Sequence, residues 1–266
     1  GAQRRLSIRA RAVVVSCGTI ASPLLLEDNG FKLPWIGRNL SIHPAIGMFA
    51  RTNEPMHSWK TIPQGYGVTG LEDPRLTFEG FYLPPQIGAG LTAINGPLLS
   101  HWMDHHAAVG QFGVMVKDPN VGRVYRSSTG GTTVRYSLTP EITDVLQRGA
   151  SALAELLIRG GGHEVLACVG GVDVVRSVDE ARAIRNLSLK PSDFMVLAFH
   201  PLGTCRMGQS PEHAVVDAEH RVFGTDNLYI VDGSTVPTSL GVNPQITIMA
   251  MALRAADLLK QRLRNP

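Results

Sequence analysis

Residues 198–208 read AFHPLGTCRMG, and residues 215–259 read VVDAEHRVFGTDNLYIVDGSTVPTSLGVNPQITIMAMALRAADLL. The apolar run Phe194 to Phe199 predicts a buried strand that ends at His200, where Pro201 and Gly203 impose an irregular loop. A strand end fixes the backbone while a loop leaves the imidazole accessible, a usual place for a catalytic side chain. Residues 215–224 predict a hairpin, and NLYIVDG (227–233) predicts a buried strand ending in Asp232-Gly233. Asn243 then reads as the N-cap of the final helix and Pro244 as its first residue. Ile246, Met249, Ala250, Leu253, Ala256 and Leu259 fall on one face of that helix and predict a buried stripe. Lys260, Arg262 and Arg264 suit its C-terminal end, where cations oppose the helix dipole. Taken alone, a strand-end histidine and a helix-cap asparagine read as readily as ordinary structural residues.

Upstream, residues 12–26 read AVVVSCGTIASPLLL. Val13 to Val15 predict a fully buried strand, because they lack polar alternation. Gly18 allows a tight turn or close approach of backbone to a ligand. Ser22-Pro23 predicts the start of a short helix that stops near Asn29-Gly30. Such a strand, turn and helix form half of a dinucleotide-binding unit, or any buried unit of an α/β protein. Residues 35–44, WIGRNLSIHP, read as a loop in which His43 is a structural hydrogen-bonding group.

From about residue 45 to 195 proline and glycine are frequent, and short strand-like runs alternate with turns. Residues 109–118 read as a strand, and 122–140 as a hairpin turning near Thr129-Gly130-Gly131. A helix begins at the Thr139 cap with Pro140, buries Ile142, Val145, Leu146, Leu153, Leu156 and Leu157, and ends at Gly160 to Gly162. The HWMDHH run at 101–106 places His101 and His105 at metal-ligand spacing beside Asp104, yet lacks H-E-x-x-H and a third distant ligand. It reads as a solvated or interface-lining loop, and no metal is expected.

Composition narrows the function class. An apolar fraction of 44% with 18% charged residues fits a globular protein of one large or two smaller domains over 266 residues. A net charge of +3, scattered along the chain, argues against nucleic acid as a partner. Three cysteines, Cys17, Cys168 and Cys205, imply no disulfide framework. No run of about 18 apolar residues predicts a transmembrane segment, and no G-x-S-x-G elbow predicts a serine hydrolase. The chain opens on GAQRRLSIRARA and runs straight into a strand, which reads as a beginning inside a domain.

Taken together, HPLGTCRMG, VVD…RVFG…NLYIVDGS and PTSLGVNPQITIMAMALRAAD resemble the C-terminal signature of the glucose–methanol–choline (GMC) family of flavin oxidoreductases. Residues agree in identity, order and spacing over about the last 70 positions. SCGTIASPLLLEDNG and IGRNLSIHP resemble the segments that precede that family's substrate domain, and SCGT with PTSLGVNP looks most like its long-chain alcohol oxidase branch, a pattern that bacterial sugar and polyol dehydrogenases largely share. The resemblance implies an α/β plus α+β fold. An incomplete FAD-binding, Rossmann-like domain is expected from residues 1–44 and 196–266, with an inserted antiparallel-sheet substrate domain at 45–195.

The resemblance also implies FAD-dependent oxidation of a small-molecule alcohol to an aldehyde or ketone, by hydride transfer to flavin N5. His200 is then the base, or the group that hydrogen-bonds the alkoxide, and Asn243 hydrogen-bonds the substrate oxygen. Gly18, Asp232, Gly233, Asn243, Pro244, Gln245 and Thr247 are the implied cofactor-binding residues. A dinucleotide fold also needs G-x-G-x-x-G in a strand–turn–helix setting. That spacing occurs as GYGVTG (65–70) and loosely as GAGLTA (88–93), both read as loop glycines between prolines. The N-terminal FAD-binding half is therefore expected from a longer chain or a partner, and this chain alone is expected to bind FAD weakly or not at all. The alternative is a non-catalytic accessory module that keeps the fold without FAD. A hydrolase using HWMDHH and His43 is a more distant one.

Overall fold

The computed structural model describes residues 6–60, 62, 64–68, 70–92, 94–119 and 121–264. Pro63, Thr69 and Ala93 of the glycine-bearing stretches, and the first five residues of the basic opening, lie outside the described residues. In chain order the elements are β1 (Val13–Val15), α1 (Gly18–Asp28), β2 (Arg38–Leu40), β3 (Ala45–Arg51), β4 (Gly67–Val68), β5 (Leu76–Gly80), α2 (Pro85–Leu91) and α3 (Gly96–Asp104). There follow β6 (Val109–Val116), β7 (Gly122–Arg126), β8 (Thr132–Arg135), α4 (Pro140–Arg159), β9 (Glu164–Leu166), α5 (Val178–Ala183), β10 (Leu228–Ile230) and α6 (Gln245–Arg264). They form two compact units, one of Gly1–Ile42, Pro119–Ser137 and His200–Pro266, the other of His43–Asp118 and Leu138–Phe199.

The first unit is α/β. β1 and β10 pair in parallel, Val13 opposite Leu228 and Val15 opposite Ile230, and β2, β7 and β8 form a small antiparallel sheet. The 122–135 hairpin closes as its glycines dictate: Gly130 takes φ +81° and Ser127 N–H donates to Gly131 O at 2.8 Å. Val15, Leu26, Val216 and Ile230 join the core beneath this pair. Three expectations need correction. Val13 and Val14 are 46% and 47% exposed, so β1 is not fully buried; a two-stranded sheet has neighbours for only part of its surface. The stripe on α6 is exposed as well, with Ile246 at 75% and Leu253 at 70%, and Ala255 is the helix's one buried residue among those described. α1 starts at Gly18 and carries Pro23 within it, although it ends where predicted, at Asn29 and a left-handed Gly30.

The second unit is an α+β layer whose five strands run in the order β4-β5-β6-β3-β9, all antiparallel. β3 and β6 pair without interruption from Ala45↔Met115 to Arg51↔Val109. Strand alternation puts Ile46, Met48 and Ala50 on the Val114 face and Phe49 on the other. α4 lies on the Val114 face so closely that a Cβ on Gly149 would meet Val114 Cγ2 at 2.7 Å. The helix begins as its sequence demands, with Thr139 Oγ1 accepting from Ile142 N–H at 3.2 Å and Pro140 at the first turn. Ile142, Val145, Leu146 and Leu153 are buried, while Leu156 is exposed.

Other readings shift here. Phe194 to Phe199 form no strand; Leu197 exchanges both backbone hydrogen bonds with Ala45 and the segment then leaves, Phe199 being 66% exposed. β3 already pairs β9 further along this edge, so the segment meets it at a single residue. Gly88 and Gly90 lie inside α2, a short helix started by Pro85, and Gly67 lies in β4, so neither glycine stretch is purely a loop. In neither case does a glycine turn open a helix behind a strand. HWMDHH is largely the end of α3, not a loop.

Glu164 of β9 stands opposite Arg51 and ties the sheet edge electrostatically. It accepts from Arg51 Nε at 2.7 Å and Arg176 Nη2 at 3.2 Å, and pairs with His101 Nε2 at 2.9 Å, with a side chain only 14% exposed. Burial alone would raise this carboxyl; hydrogen bonds from His101 and Arg51, the Arg51 charge and Arg176 outweigh it and bring it from 4.5 down to about 2. A depressed carboxyl stabilises the fold fully above its unfolded value and loses that contribution as pH falls through the folded one. Glu164→Gln is therefore expected to flatten the fall in stability between pH 4.5 and about 2, measured by urea unfolding at stepped pH. An unchanged slope would refute the pairing.

Candidate active site

The segment 200–205 is held by α1. Inside that helix Pro23 has no N–H, so the carbonyl four residues earlier, on Thr19, loses its helical partner. Thr204 supplies one: its buried hydroxyl donates to Thr19 O at 2.6 Å. Thr19 answers from the same turn, its own hydroxyl donating to Pro201 O at 2.6 Å. Gly203 sits at φ +90° with Asn39 O so close that a Cβ would overlap it, so glycine is required there. His200, half-buried, thus precedes a loop pinned at residues 201, 203 and 204.

Asp232 ties the next two turns together. Its Oδ2 accepts from Gly18 N–H at 2.9 Å and from Ser22 Oγ at 2.5 Å, while Oδ1 accepts from Ser234 N–H at 2.8 Å. The turn after β1 and the turn after β10 are therefore joined by one carboxylate. Gly203 N–H donates to Gly233 O at 3.2 Å and Cys205 N–H to Ser234 O at 2.8 Å, which adds the His200 loop. Gly233 is packed by protein: a Cβ would meet Ile248 Cδ1 at 3.2 Å, Leu202 Cδ2 at 3.3 Å and Thr19 Oγ1 at 3.3 Å. Ile248 belongs to the first turn of α6, so that turn converges on the same place. Gly18 differs, because it takes φ +79° and a Cβ there would meet nothing within 4 Å.

Of the residues singled out in the sequence, Gly18, Asp232 and Gly233 are directly interlocked with the loop after His200 and with the start of α6. Asn243 is exposed and lies one residue further out than expected. Ile248 N–H donates to Pro244 O at 2.9 Å, so Pro244 takes the cap position and α6 starts at Gln245. Gln245 is exposed, Thr247 half-buried and Pro244 buried. The first-turn N–H groups of α6 have no partner within the helix, as at any helix start. Ser22 is not a helix cap; it accepts from Cys17 N–H at 3.2 Å and donates to Asp232.

Sequence reading passed over Thr204, Thr19 and Asn39. Asn39 sits at φ +68°, and its Nδ2 donates to Pro237 O at 2.9 Å. Its Oδ1 accepts from Arg206 Nη1 at 3.1 Å, and that guanidinium lies 3.9 Å over the Trp35 ring. Burial lowers the Arg206 guanidinium and pushes the Cys205 thiol up, leaving that thiol protonated and inert at neutral pH. A proline one turn into a helix was the available signal for Thr204, since it announces a carbonyl in need of an outside donor.

Comparisons with known proteins identify the family. Family models described as GMC oxidoreductase match residues 1–45 and 119–252. A GMC-type oxidoreductase of Mycobacterium tuberculosis, described as uncharacterized, is 34% identical over 95% of this chain and 40% of its own length. A long-chain-alcohol oxidase of Arabidopsis thaliana is 28% identical over 99% of this chain and 38% of its own. A formate oxidase variant of Aspergillus oryzae RIB40, whose structure concerns modification of its FAD, superposes with a TM-score of 0.65 at 16% identity. The match covers 96% of this chain and 55% of that one. The chain thus spans about two fifths of the length of the curated relatives it matches.

Replacing Thr204 by valine keeps its shape and removes the donor to Thr19 O. A stability loss of about 1–3 kcal/mol is expected, the cost of leaving a buried carbonyl unpaired, read by urea unfolding. Thr204→Ser, which keeps the hydroxyl, is expected to recover most of it.

Proposed function

We propose, because the chain belongs to the GMC oxidoreductase family, that it carries the substrate-handling part of an FAD-dependent enzyme that oxidises an alcohol to an aldehyde or ketone. The observation that carries this reading is the convergence of the Gly18 turn, the Asp232-Gly233 turn, the loop after His200 and the first turn of α6.

Two features fit FAD. Gly18 offers bare backbone beside open space at the start of α1, and the α6 start offers first-turn amides at the positive end of a helix dipole. Gly18, Asp232 and Gly233 would hold the ribityl and diphosphate portion, with Asp232 keeping the two turns in register through the donors it already binds. Asn243, Pro244, Gln245 and Thr247 would frame the flavin edge where negative charge collects, the helix amides supplying the stabilisation. When bound, FAD supplies a two-electron acceptor.

The chain's own residues then handle the proton and the oxygen. His200 accepts the hydroxyl proton, a task suited to an imidazole whose unperturbed pKa lies near neutrality. Its loop gives it a fixed origin, because Pro201 is tied to Thr19 and Gly203 to Gly233. Asn243 donates to the substrate oxygen and orients the carbinol carbon. The exposed stripe on α6, together with Val13 and Val14, is the surface we assign to the N-terminal nucleotide-binding half, from a longer chain or a partner. The relatives' greater length supports this assignment.

A non-catalytic module that keeps the fold without FAD is the second reading, favoured by the lack, among the described residues, of a glycine fingerprint between a strand and a helix. Cofactor titration separates the two. Complementation with the N-terminal half of a GMC relative is expected to yield a yellow complex reduced by an alcohol. His200→Ala in that complex should slow flavin reduction by about 10²–10⁴. Near-normal reduction in His200→Ala would sink the base assignment. Stoichiometric FAD retained by the 266-residue chain alone would sink the need for a second half, and a complex that never binds FAD would favour the module.

A further inference from the structure

The pair Asn-Gly occurs twice in the chain, at Asn29-Gly30 behind α1 and at Asn95-Gly96 where α3 begins. In such a pair the glycine nitrogen can attack the side-chain carbonyl carbon of the asparagine, because no Cβ on the glycine shields it. The attack needs no partner molecule. It does need both reacting groups to be released from other hydrogen bonds. Both pairs are exposed, so exposure does not separate them. Their hydrogen bonds do.

Asn29 closes the C-terminal end of α1. Its Nδ2 donates to Leu25 O at 2.8 Å, and Gly30 N–H donates to Glu27 O at 3.0 Å. Electrophile and nucleophile are thus each tied to the last turn of the helix. Asn95 stands at the other kind of end, the N-cap of α3, with extended backbone at φ −146° and ψ 177°. A capping asparagine ordinarily accepts from the N–H two or three positions on. Here the second position is Pro97, which has no N–H, and the Asn95 side chain makes no capping bond. Among the described residues nothing else holds it. Gly96 is the first helical residue, whose N–H has no acceptor within a helix, and no described carbonyl outside α3 accepts from it. The chain's one Asp-Gly pair, Asp232-Gly233, is locked as firmly as Asn29: three donors bind the carboxylate and the glycine is buried.

We infer that Asn95 is a site of spontaneous deamidation in the folded chain, giving aspartate or isoaspartate at the start of α3, while Asn29 is protected. The Gly96 nitrogen loses its proton to hydroxide and bonds to Asn95 Cγ, the Cγ–Nδ2 bond breaks, and ammonia leaves. Water then opens the five-membered imide at either carbonyl, and no oxidant or reductant takes part. Opening at the side-chain carbonyl restores the normal chain with an aspartate. Opening at the main-chain carbonyl routes the chain through Cβ and Cγ, one methylene longer. The Asn95 carbonyl, which accepts from Leu99 N–H at 3.4 Å, then becomes a carboxylate outside the chain. Either product places a negative charge beside the first amides of α3, where the helix dipole favours it. The inference rests on these hydrogen bonds and not on the flavin reading, so either can fail without the other.

The test is peptide mapping by mass spectrometry on the 266-residue chain, incubated at pH 8 both folded and in urea, with circular dichroism confirming each state. The gain of one mass unit is followed in the peptides that hold Asn29 and Asn95. In urea neither pair keeps its helix, so the ratio of the two rates there reports local sequence alone. In the folded chain the ratio of the Asn95 rate to the Asn29 rate is expected to be about tenfold to a hundredfold larger, the factor set when two hydrogen bonds of ordinary net strength must open first. Isoaspartate is expected beside aspartate in the converted Asn95 peptide, distinguished by its backbone fragmentation. The inference is overturned by a rate ratio that is the same folded and unfolded, or by folded Asn95 converting no faster than folded Asn29.

Discussion

The first unit depends on one hydroxyl. Pro23 lies where α1 needs an N–H for the Thr19 carbonyl, and Thr204 provides it at 2.6 Å from a segment 185 residues away in sequence. A buried peptide carbonyl must be paired, so the helix with its proline in place is complete only with residues 201–205 against it. Once they have, Thr204 O also accepts from Gly37 N–H at 2.8 Å, and Gly203 and Cys205 reach the turn after β10. A local defect in one helix therefore sets the position of a distant loop. The His200 loop inherits its geometry from that defect, and not from the strand that the apolar run before it suggests.

This explains why parts of the fold were legible and others were not. Local chemistry was readable wherever it was self-contained. Thr139-Pro140 started α4, Gly160 to Gly162 stopped it, and the Gly130 turn closed the 122–135 hairpin, because each involves atoms a few residues apart. Ser22-Pro23 misled for the opposite reason. It carries a good helix-start pattern, yet the hydroxyl goes to Asp232, 210 residues on, and the proline is tolerated because Thr204 completes the ladder. No window of neighbouring residues contains that information. The run Phe194 to Phe199 fails similarly: its composition suits a strand, but a strand needs a partner along its length, and β3 offers one residue.

Burial was the least legible quantity. The period of apolar residues on α6 is intact, with Ile246, Met249 and Leu253 on one face, and all three are exposed. Periodicity reports which face is available for packing; it does not supply the surface that packs there. Val13 and Val14 behave alike at the strand level. The glycine spacings show the same limit in another form, for Gly88 and Gly90 have the spacing of a nucleotide turn but stand inside a helix. The spacing acquires meaning only when a buried strand delivers the turn and the helix amides follow it.

What separates framework from site in this molecule is whether a polar group is already engaged. Three histidines near the end of α3 have a ligand-like spacing, yet His101 Nε2 bonds Glu164, and the Nδ1 atoms of His105 and His106 bond the His101 and Met103 carbonyls. Each is thereby oriented by a carboxylate or carbonyl of the protein itself. Asp232 shows that engagement does not disqualify a residue, because its three donors fix two turns, one of which still opens outward at Gly18. Trp102 is the converse, a donor removed from solvent with nothing to donate to. Residue type and spacing distinguish none of these three cases. The hydrogen-bond partner of each group does, and partners come from parts of the chain that only folding brings near.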